Sequence, residues 1–365
     1  MNLSSNQRKI YLMALALLAA SVALACTWSL WAKPAGYTQT PQAAPEAEAL
    51  PTAAPPADVT ASPTPVQPAE EGAKASTVVY YQDNYGYLVP VMCKVPMQEG
   101  IAKATLGLMV QNVSNDMQAA RLGLRTVLPE NTTIDLDISN GLARIDLGEE
   151  VLKLPDAAAE TNMVNAVVQA LTEFESVDRV EFLIGGQKRD KLTHGTGVSG
   201  TFTRGDINLE AAEPTLARDG ARTVTLYFPA DSGAVIVPVT RMVRSKADVN
   251  TAVMELAKGP SGADMLESVL PAGCGLIDVK VEDGVAKLNF TSEFVDLLQN
   301  SDGGRMALKA LVLTCTQFDG IQSVEVYVDG GRYDAGDMGV PSFMNVADTI
   351  VNDAIQTQAA AIFED

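Results

Sequence analysis

His194 is the single histidine among 365 residues, and it opens the stretch with the most chemical promise, His194-Gly195-Thr196-Gly197-Val198-Ser199-Gly200. A Ser–His–acid relay needs an imidazole held between a hydroxyl and a carboxylate. Here the whole relay would rest on one residue of a glycine-rich loop. A lone histidine builds neither a multi-histidine metal site nor a two-histidine relay. Gly195 to Gly200 also matches the letters of a dinucleotide fingerprint. That chemistry needs a strand before the glycines and a helix after them, so that amides point at a pyrophosphate. Polar Lys191-Leu192-Thr193-His194 precedes the stretch and Thr201-Phe202-Thr203 follows it with no helical pattern. It reads as a turn between strands.

Carboxylates offer the other candidate chemistry. Glu149-Glu150 and the Asp135/Asp137 pair could serve glycan hydrolysis if the fold set them across a sugar, but nothing in their spacing specifies that, and they read as a solvated face. No alternating Asp/Asn run closing on glycine forms a calcium loop. Four cysteines are present. Cys93, Cys274 and Cys315 are widely spaced, which is neither a disulfide framework nor a zinc pattern; a Cys274–Cys315 bridge has no support in the spacing. Cys315 sits on the apolar stripe of a helix and reads as a small buried hydrophobe. No catalytic residue, cofactor or metal ligand is assigned.

A formal charge of −19 argues against nucleic acid as a partner, and 5% aromatic residues leave little to stack bases on. Arg8 and Lys9 precede an apolar run from Ile10 to Ala32, 32 − 10 + 1 = 23 residues, long enough to span a bilayer with some tilt. Basic residues at its start put the N-terminus in the cytoplasm and the remainder outside. Three alternatives stand: an uncleaved anchor, a lipoprotein signal with Cys26 as the lipidated residue, and a cleaved secretory signal. Ala23 and Leu24 fit poorly before a lipidated cysteine, and apolar character continues through Trp28, Leu30 and Trp31. The anchor is favoured, with residues 1–33 as anchor or signal and the membrane as a partner through that segment. Residues 34–76 are rich in Pro, Ala, Thr and Glu with few large apolar residues, and read as an extended spacer.

The elements that must position any site are written twice. Val164 to Gly186 maps onto Leu308 to Gly330 at a constant offset of 144 without a gap. Each copy opens with a hairpin, Val78–Tyr81 with Tyr87–Val91 and Val224–Phe228 with Val235–Val239. A helix follows with apolar residues at i, i+3, i+4, i+7: Ile101, Ala104, Thr105, Leu108, then Val249, Ala252, Val253, Leu256. Val127-Leu128-Pro129 and Val269-Leu270-Pro271 lead into second hairpins turning at Asn140-Gly141 and Asp283-Gly284. A second helix carries Val164, Val167, Val168, Leu171 and Phe174, repeated as Leu308, Leu311, Val312, Cys315 and Phe318. A closing strand runs into glycine. The pattern predicts an α+β fold of two tandem β-β-α-β-β-α-β repeats with helices packed on one face of a mixed sheet. The expected domains are 77–208 and 209–343, with a C-terminal helix over 344–365.

On these residues the chain resembles the GerMN domain family of sporulation and spore-germination proteins. The features that carry the likeness are the hairpin before each first helix, the Val-Leu-Pro entries, Leu171-Thr172-Glu173-Phe174, Thr316-Gln317-Phe318 and Leu192-Thr193-His194-Gly195. The resemblance spans about residues 77–205 and 222–343. It implies a fold similar to ring-building motifs of secretion systems. It also implies a non-enzymatic, extracytoplasmic scaffold that helps assemble an envelope complex between mother cell and forespore, with other envelope or sporulation-complex proteins as partners. The second copy departs from the pattern after Tyr333, where Asp334-Ala335-Gly336-Asp337 lacks the histidine, so a role of His194 is not shared. Two other functions stay open: a peptidoglycan-binding or wall-remodelling accessory, and a germinant sensor with a pocket between the copies. A homo-oligomer also stays open, since two similar surfaces do not by themselves close a ring.

Overall fold

Val79, Tyr81, Leu88, Val89 and Val91 are all fully buried, a density of apolar side chains that only a strand covered on both faces can use. They belong to β1 (Lys74–Gln82) and β2 (Leu88–Pro96), an antiparallel hairpin in which Tyr80 pairs with Pro90. The later copy builds the same hairpin from β7 (Arg222–Pro229) and β8 (Ile236–Val243), with Tyr227 opposite Pro238. Each hairpin is a two-stranded sheet of its own. The computed structural model describes residues 74–97, 100–210, 221–244, 246–261, 265–298, 301–333, 343–345 and 352. The apolar run 10–32, Cys26 and the spacer as far as residue 73 lie outside these residues.

The first helical region of the first copy is α1 (Ile101–Gly107) followed by α2 (Val113–Ala120), which starts where the Asn112 side chain accepts the Asn115 N–H at 3.0 Å. The second copy has one helix here, α4 (Val249–Ala257), capped by Asp248 on the Thr251 N–H at 3.0 Å. Gly259 ends it in the left-handed region at φ 77°. The difference lies in length. Cys93 to Val127 spans 127 − 93 = 34 positions, Arg241 to Val269 only 269 − 241 = 28, and the first copy spends the extra six on α2.

The long helices are α3 (Ala157–Leu171) and α6 (Ser301–Thr316). Beyond its first turns α3 is buried almost all round, so it needs apolar cover on two sides. It packs on β1 and on β5 (Val177–Ile184), and α6 packs on β7 and on β11 (Ser323–Val328). The helices are therefore a middle layer between hairpin and second sheet.

That second sheet is mixed, as expected. In the first copy β3 (Ile134–Ser139) and β4 (Gly141–Leu147) are antiparallel, β5 runs parallel to β4, and β6 (Thr201–Phe202) closes the order β3-β4-β5-β6. The second copy repeats this with β9 (Leu276–Glu282), β10 (Val285–Phe290) and β11; both β12 (Gly331–Arg332) and β13 (Phe343–Asn345) pair with β11. A short helix, α5 (Phe294–Leu298), precedes α6. The hairpin turns sit at Asn140 (φ 51°) with Gly141 (φ 74°) and at Asp283 (φ 50°) with Gly284 (φ 80°). Two consecutive positive φ values are the geometry that selects Asn-Gly and Asp-Gly. At Gly141 a Cβ would also collide with the Asp178 carboxylate. Of the C-terminal helix expected over 344–365, residues 344 and 345 lie in β13 and Asn352 is left-handed at φ 43°; the others lie outside the described residues.

Candidate functional site

Each residue singled out for chemistry has a structural occupation. The His194 ring Nε2 lies 2.8 Å from the Leu154 carbonyl oxygen, to which it donates. A relay needs that nitrogen on a hydroxyl. The His194 and Thr196 backbone N–H groups donate to the two oxygens of Glu160, at 2.7 and 3.2 Å, and Thr193 Oγ1 donates to the Leu152 carbonyl at 2.7 Å. Glu160 is fully buried in the first turns of α3, so the glycine-rich loop is strapped over the start of that helix by a carboxylate the sequence reading passed over. The loop runs on into β6 rather than into a helix.

The acidic pairs are spread out. Asp135 and Asp137 lie on β3, the edge strand, with Asp135 directly across from Asp146 of β4. Glu149 and Glu150 begin a short 3-10 turn over Glu149–Lys153, where Glu149 faces Arg189 at 3.8 Å. Among the described residues no three His, Cys, Asp or Glu side chains gather as metal ligands. Cys93 and Cys315 are buried, Cys274 is half-buried, and none of the three is disulfide-bonded. Burial pushes the Cys315 thiol well above its ordinary range and Cys274 up to about 11, so both stay protonated and poorly nucleophilic.

What remains exposed on each copy is the open face of its second sheet. Glu181 there is bracketed by Arg144 Nε at 2.9 Å and by Lys188; in the second copy Glu325 receives Arg332 at 3.0 Å. The Gly186 N–H donates to Asp146 Oδ1 and the Gly330 N–H to Asn289 Oδ1, both at 2.9 Å. Exposed pairs of this kind contribute little stability each; they keep the face soluble. The free edges differ. β3 carries two outward aspartates, whereas β9 has an irregularity at Ile277 and leaves Ile277 and Val281 half exposed. Both charge and irregularity discourage edge-to-edge pairing.

The most heavily built region is the junction of the two copies. The segment linking them enters through Arg204, which donates to Glu173 Oε1 at 2.6 Å, the Tyr80 hydroxyl at 2.8 Å and the Gln169 carbonyl at 3.1 Å. Tyr80 itself donates to Glu173 at 2.8 Å. Burial drives the Tyr80 phenol well up despite the neighbouring Arg204, and pushes Tyr227 up to about 12. The segment leaves through Glu210, bound by two nitrogens of Arg241 on β8 and by the Ser261 N–H at 3.1 Å. Arg241 also donates to the Glu255 carbonyl at 2.7 Å and the Gly259 carbonyl at 2.8 Å.

Between these clamps sits Asn208, left-handed at φ 52°. Its side chain accepts the Leu88 N–H at 2.8 Å and donates to the Leu88 and Pro238 carbonyls at 2.8 and 2.7 Å. Its own carbonyl accepts the Thr240 N–H at 3.1 Å. Asn352 makes the mirrored set. It accepts the Ile236 N–H at 2.7 Å, donates to the Ile236 and Pro90 carbonyls at 2.8 and 2.9 Å, and accepts the Met92 N–H at 2.8 Å through its carbonyl. The signal that could have found this pair is the repeat itself, since 208 + 144 = 352.

Comparison with known proteins agrees with this two-copy architecture. The family model described as Germane, sporulation and spore germination, matches residues 78–190 and 225–334. Spore germination protein GerM of Bacillus subtilis (strain 168) is 32% identical over 271 residues, covering 70% of this chain and 73% of the relative. Among solved structures, the tandem GerMN domains of the sporulation protein GerM from Bacillus subtilis match with a TM-score of 0.62 at 28% identity. That match covers 77% of this chain and 99% of the other.

Proposed function

We propose, from the premise that the chain belongs to the Germane family of sporulation and spore germination domains, that it is a non-enzymatic scaffold. In this reading it helps assemble an envelope complex between mother cell and forespore. Its role is sporulation-related. The apolar run at 10–32 holds it to the membrane, the spacer sets its reach, and the paired copies stand outside the cytoplasm and present their open sheets to other envelope proteins.

One observation carries the proposal: duplication has kept the residues that fold a copy and dropped those with chemistry. The turn pairs, the buried helix stripe and the junction asparagine all recur. His194 and Glu160 do not, since their counterparts at +144 are Met338 and Gly304. A reactive centre shared by the family fold would be expected in both copies or in the cleft between them. Instead the junction's ionisable groups are consumed by one another.

The test is to image a fluorescent fusion of the full-length chain in its native host from vegetative growth through engulfment. Enrichment at the membranes between mother cell and forespore, followed by crosslinking of a specific protein there, is the expected result. Uniform peripheral signal in vegetative cells, with co-sedimentation on purified peptidoglycan, would replace the proposal with a wall-binding function.

A further inference from the structure

We infer that the outer edges of β2 and β8 form a docking surface whose partner is the other copy of the same chain. Asn208 and Asn352 are its two matched locking residues, so residue 352 is an integral part of the tandem. An edge strand leaves every second residue's backbone groups unmet. Leu88, Pro90 and Met92 of β2 turn their free backbone groups away from β1, and Ile236, Pro238 and Thr240 do so on β8. A proline in each edge lacks an N–H, so a further strand cannot run a full ladder along it. A primary amide can take that place. Its oxygen accepts and its nitrogen donates to the same residue, as a paired strand would, while the second amide hydrogen reaches a carbonyl across the junction. Both asparagines do this, on Leu88 with Pro238 and on Ile236 with Pro90.

The residue type follows from two demands at once. Each site needs φ near +45°, which asparagine tolerates better than other side-chain-bearing residues. Each also needs one acceptor and two donors, which aspartate lacks. Exchanging the copies exchanges the two sets of partners, so the junction has the self-complementary logic of a twofold interface inside one chain. Asn352 is only 5% exposed and lies past residue 334, where the family match ends. The lock on the first copy's hairpin is thus supplied from the far end of the chain.

The test is hydrogen exchange read by mass spectrometry on the full-length chain, with Asn352→Gly, Asn208→Gly and Asn352→Asp. Glycine keeps the left-handed backbone and removes only the amide. The expected result reaches both copies. Asn352→Gly takes the acceptor from the Ile236 N–H of β8 directly and, by loosening residue 352, releases the Met92 N–H of β2, so exchange in both peptides speeds by about 10- to 100-fold. Asn208→Gly does the same to the Leu88 N–H of β2 and the Thr240 N–H of β8, while β4 and β10 stay protected in both variants. Asn352→Asp keeps the acceptor for the Ile236 N–H but loses the donors, so β2 opens while Ile236 remains protected. That variant decides the matter if the glycine variants lose β4 and β10 protection as well. Changes confined to the copy that carries the substitution, or no change in β2 with Asn352→Asp, would overturn the inference.

Discussion

Removing the Glu160 carboxylate is the sharpest perturbation of the first copy. Glu160 is buried, and its two oxygens accept the His194 N–H at 2.7 Å and the Thr196 N–H at 3.2 Å. Hydrogen bonds to a charged group contribute about 1.5–3 kcal/mol each, and a donor left without its acceptor costs a comparable amount. The 2.7 Å bond belongs at the upper end of that range and the 3.2 Å bond at the lower. The His194 and Thr196 backbone lies close enough to solvent for water to recover part of the loss. The net cost of Glu160→Ala should be about 2–4 kcal/mol. At roughly 2 °C per kcal/mol for a unit of this size, the melting temperature falls by about 4–8 °C.

Glu160→Gln separates charge from shape. Its single oxygen can serve the shorter bond, but the amide nitrogen then faces the Thr196 N–H, donor against donor, so about half of the loss should remain. Calorimetry on the full-length chain measures the shift, and hydrogen exchange over 191–198 locates it. A Glu160→Ala melt within about 1 °C of the parent, with the loop still protected, refutes the strap.

Four further outcomes are expected. Arg241→Met should destabilise the chain by about 3 kcal/mol, because it strands Glu210 and leaves the Glu255 and Gly259 carbonyls without their donor; denaturant unfolding measures it. Burial works against the Glu210 carboxylate, yet Arg241 and the Ser261 N–H outweigh it and hold its pKa below the ordinary value. The stability from that depression is therefore present above about pH 4.3 and lost as pH falls through the lower folded value; Glu210→Gln should flatten that acid arm of a stability–pH curve. A cleft of about 260 Å³ lined by Pro229, Val269, Leu297, Met306 and Ala307 sits where the first copy buries Met163, so Ala307→Met should raise the melting temperature, by about 0.5–2 kcal/mol of stability. Asp135→Val with Asp137→Val removes the charges guarding β3 and should drive self-association, visible by light scattering as concentration rises.

Much of the fold was legible because its signals are local. Asn-Gly and Asp-Gly turns name their own geometry, and the stripes of α3 and α6 stand out because each helix is buried almost all round. α2 was missed for the opposite reason. Its Val113 and Met117 face solvent, so no stripe marks a buried side, and the signal that sets it is the Asn112 cap. The first hairpins were seen, but their separation from the second sheet was not, since strand alternation does not say which strands become neighbours. The junction was invisible for a related reason. An asparagine in a linker is ordinary until its left-handed backbone is placed together with Leu88, 120 residues upstream, and Pro238, 30 downstream.

The two copies are related by near-twofold exchange, yet one chain link must break that symmetry, and its polarity shows how. The segment from Arg204 to Glu210 gives a cation to the first copy, on Glu173, and an anion to the second, on Arg241. The repeat supplies no such pair for the reverse arrangement: Glu173 becomes Gln317, which binds the Thr225 backbone instead, and Arg241 stands where the first copy has Cys93. Buried pairs of this kind contribute modest net stability but penalise wrong pairings strongly, because a mismatched arrangement strands a charge. The asparagines therefore set the symmetric contact, and the two guanidinium–carboxylate clamps fix which copy occupies which side. The tandem thereby holds two open sheets of similar shape and unequal charge in one fixed order along the chain.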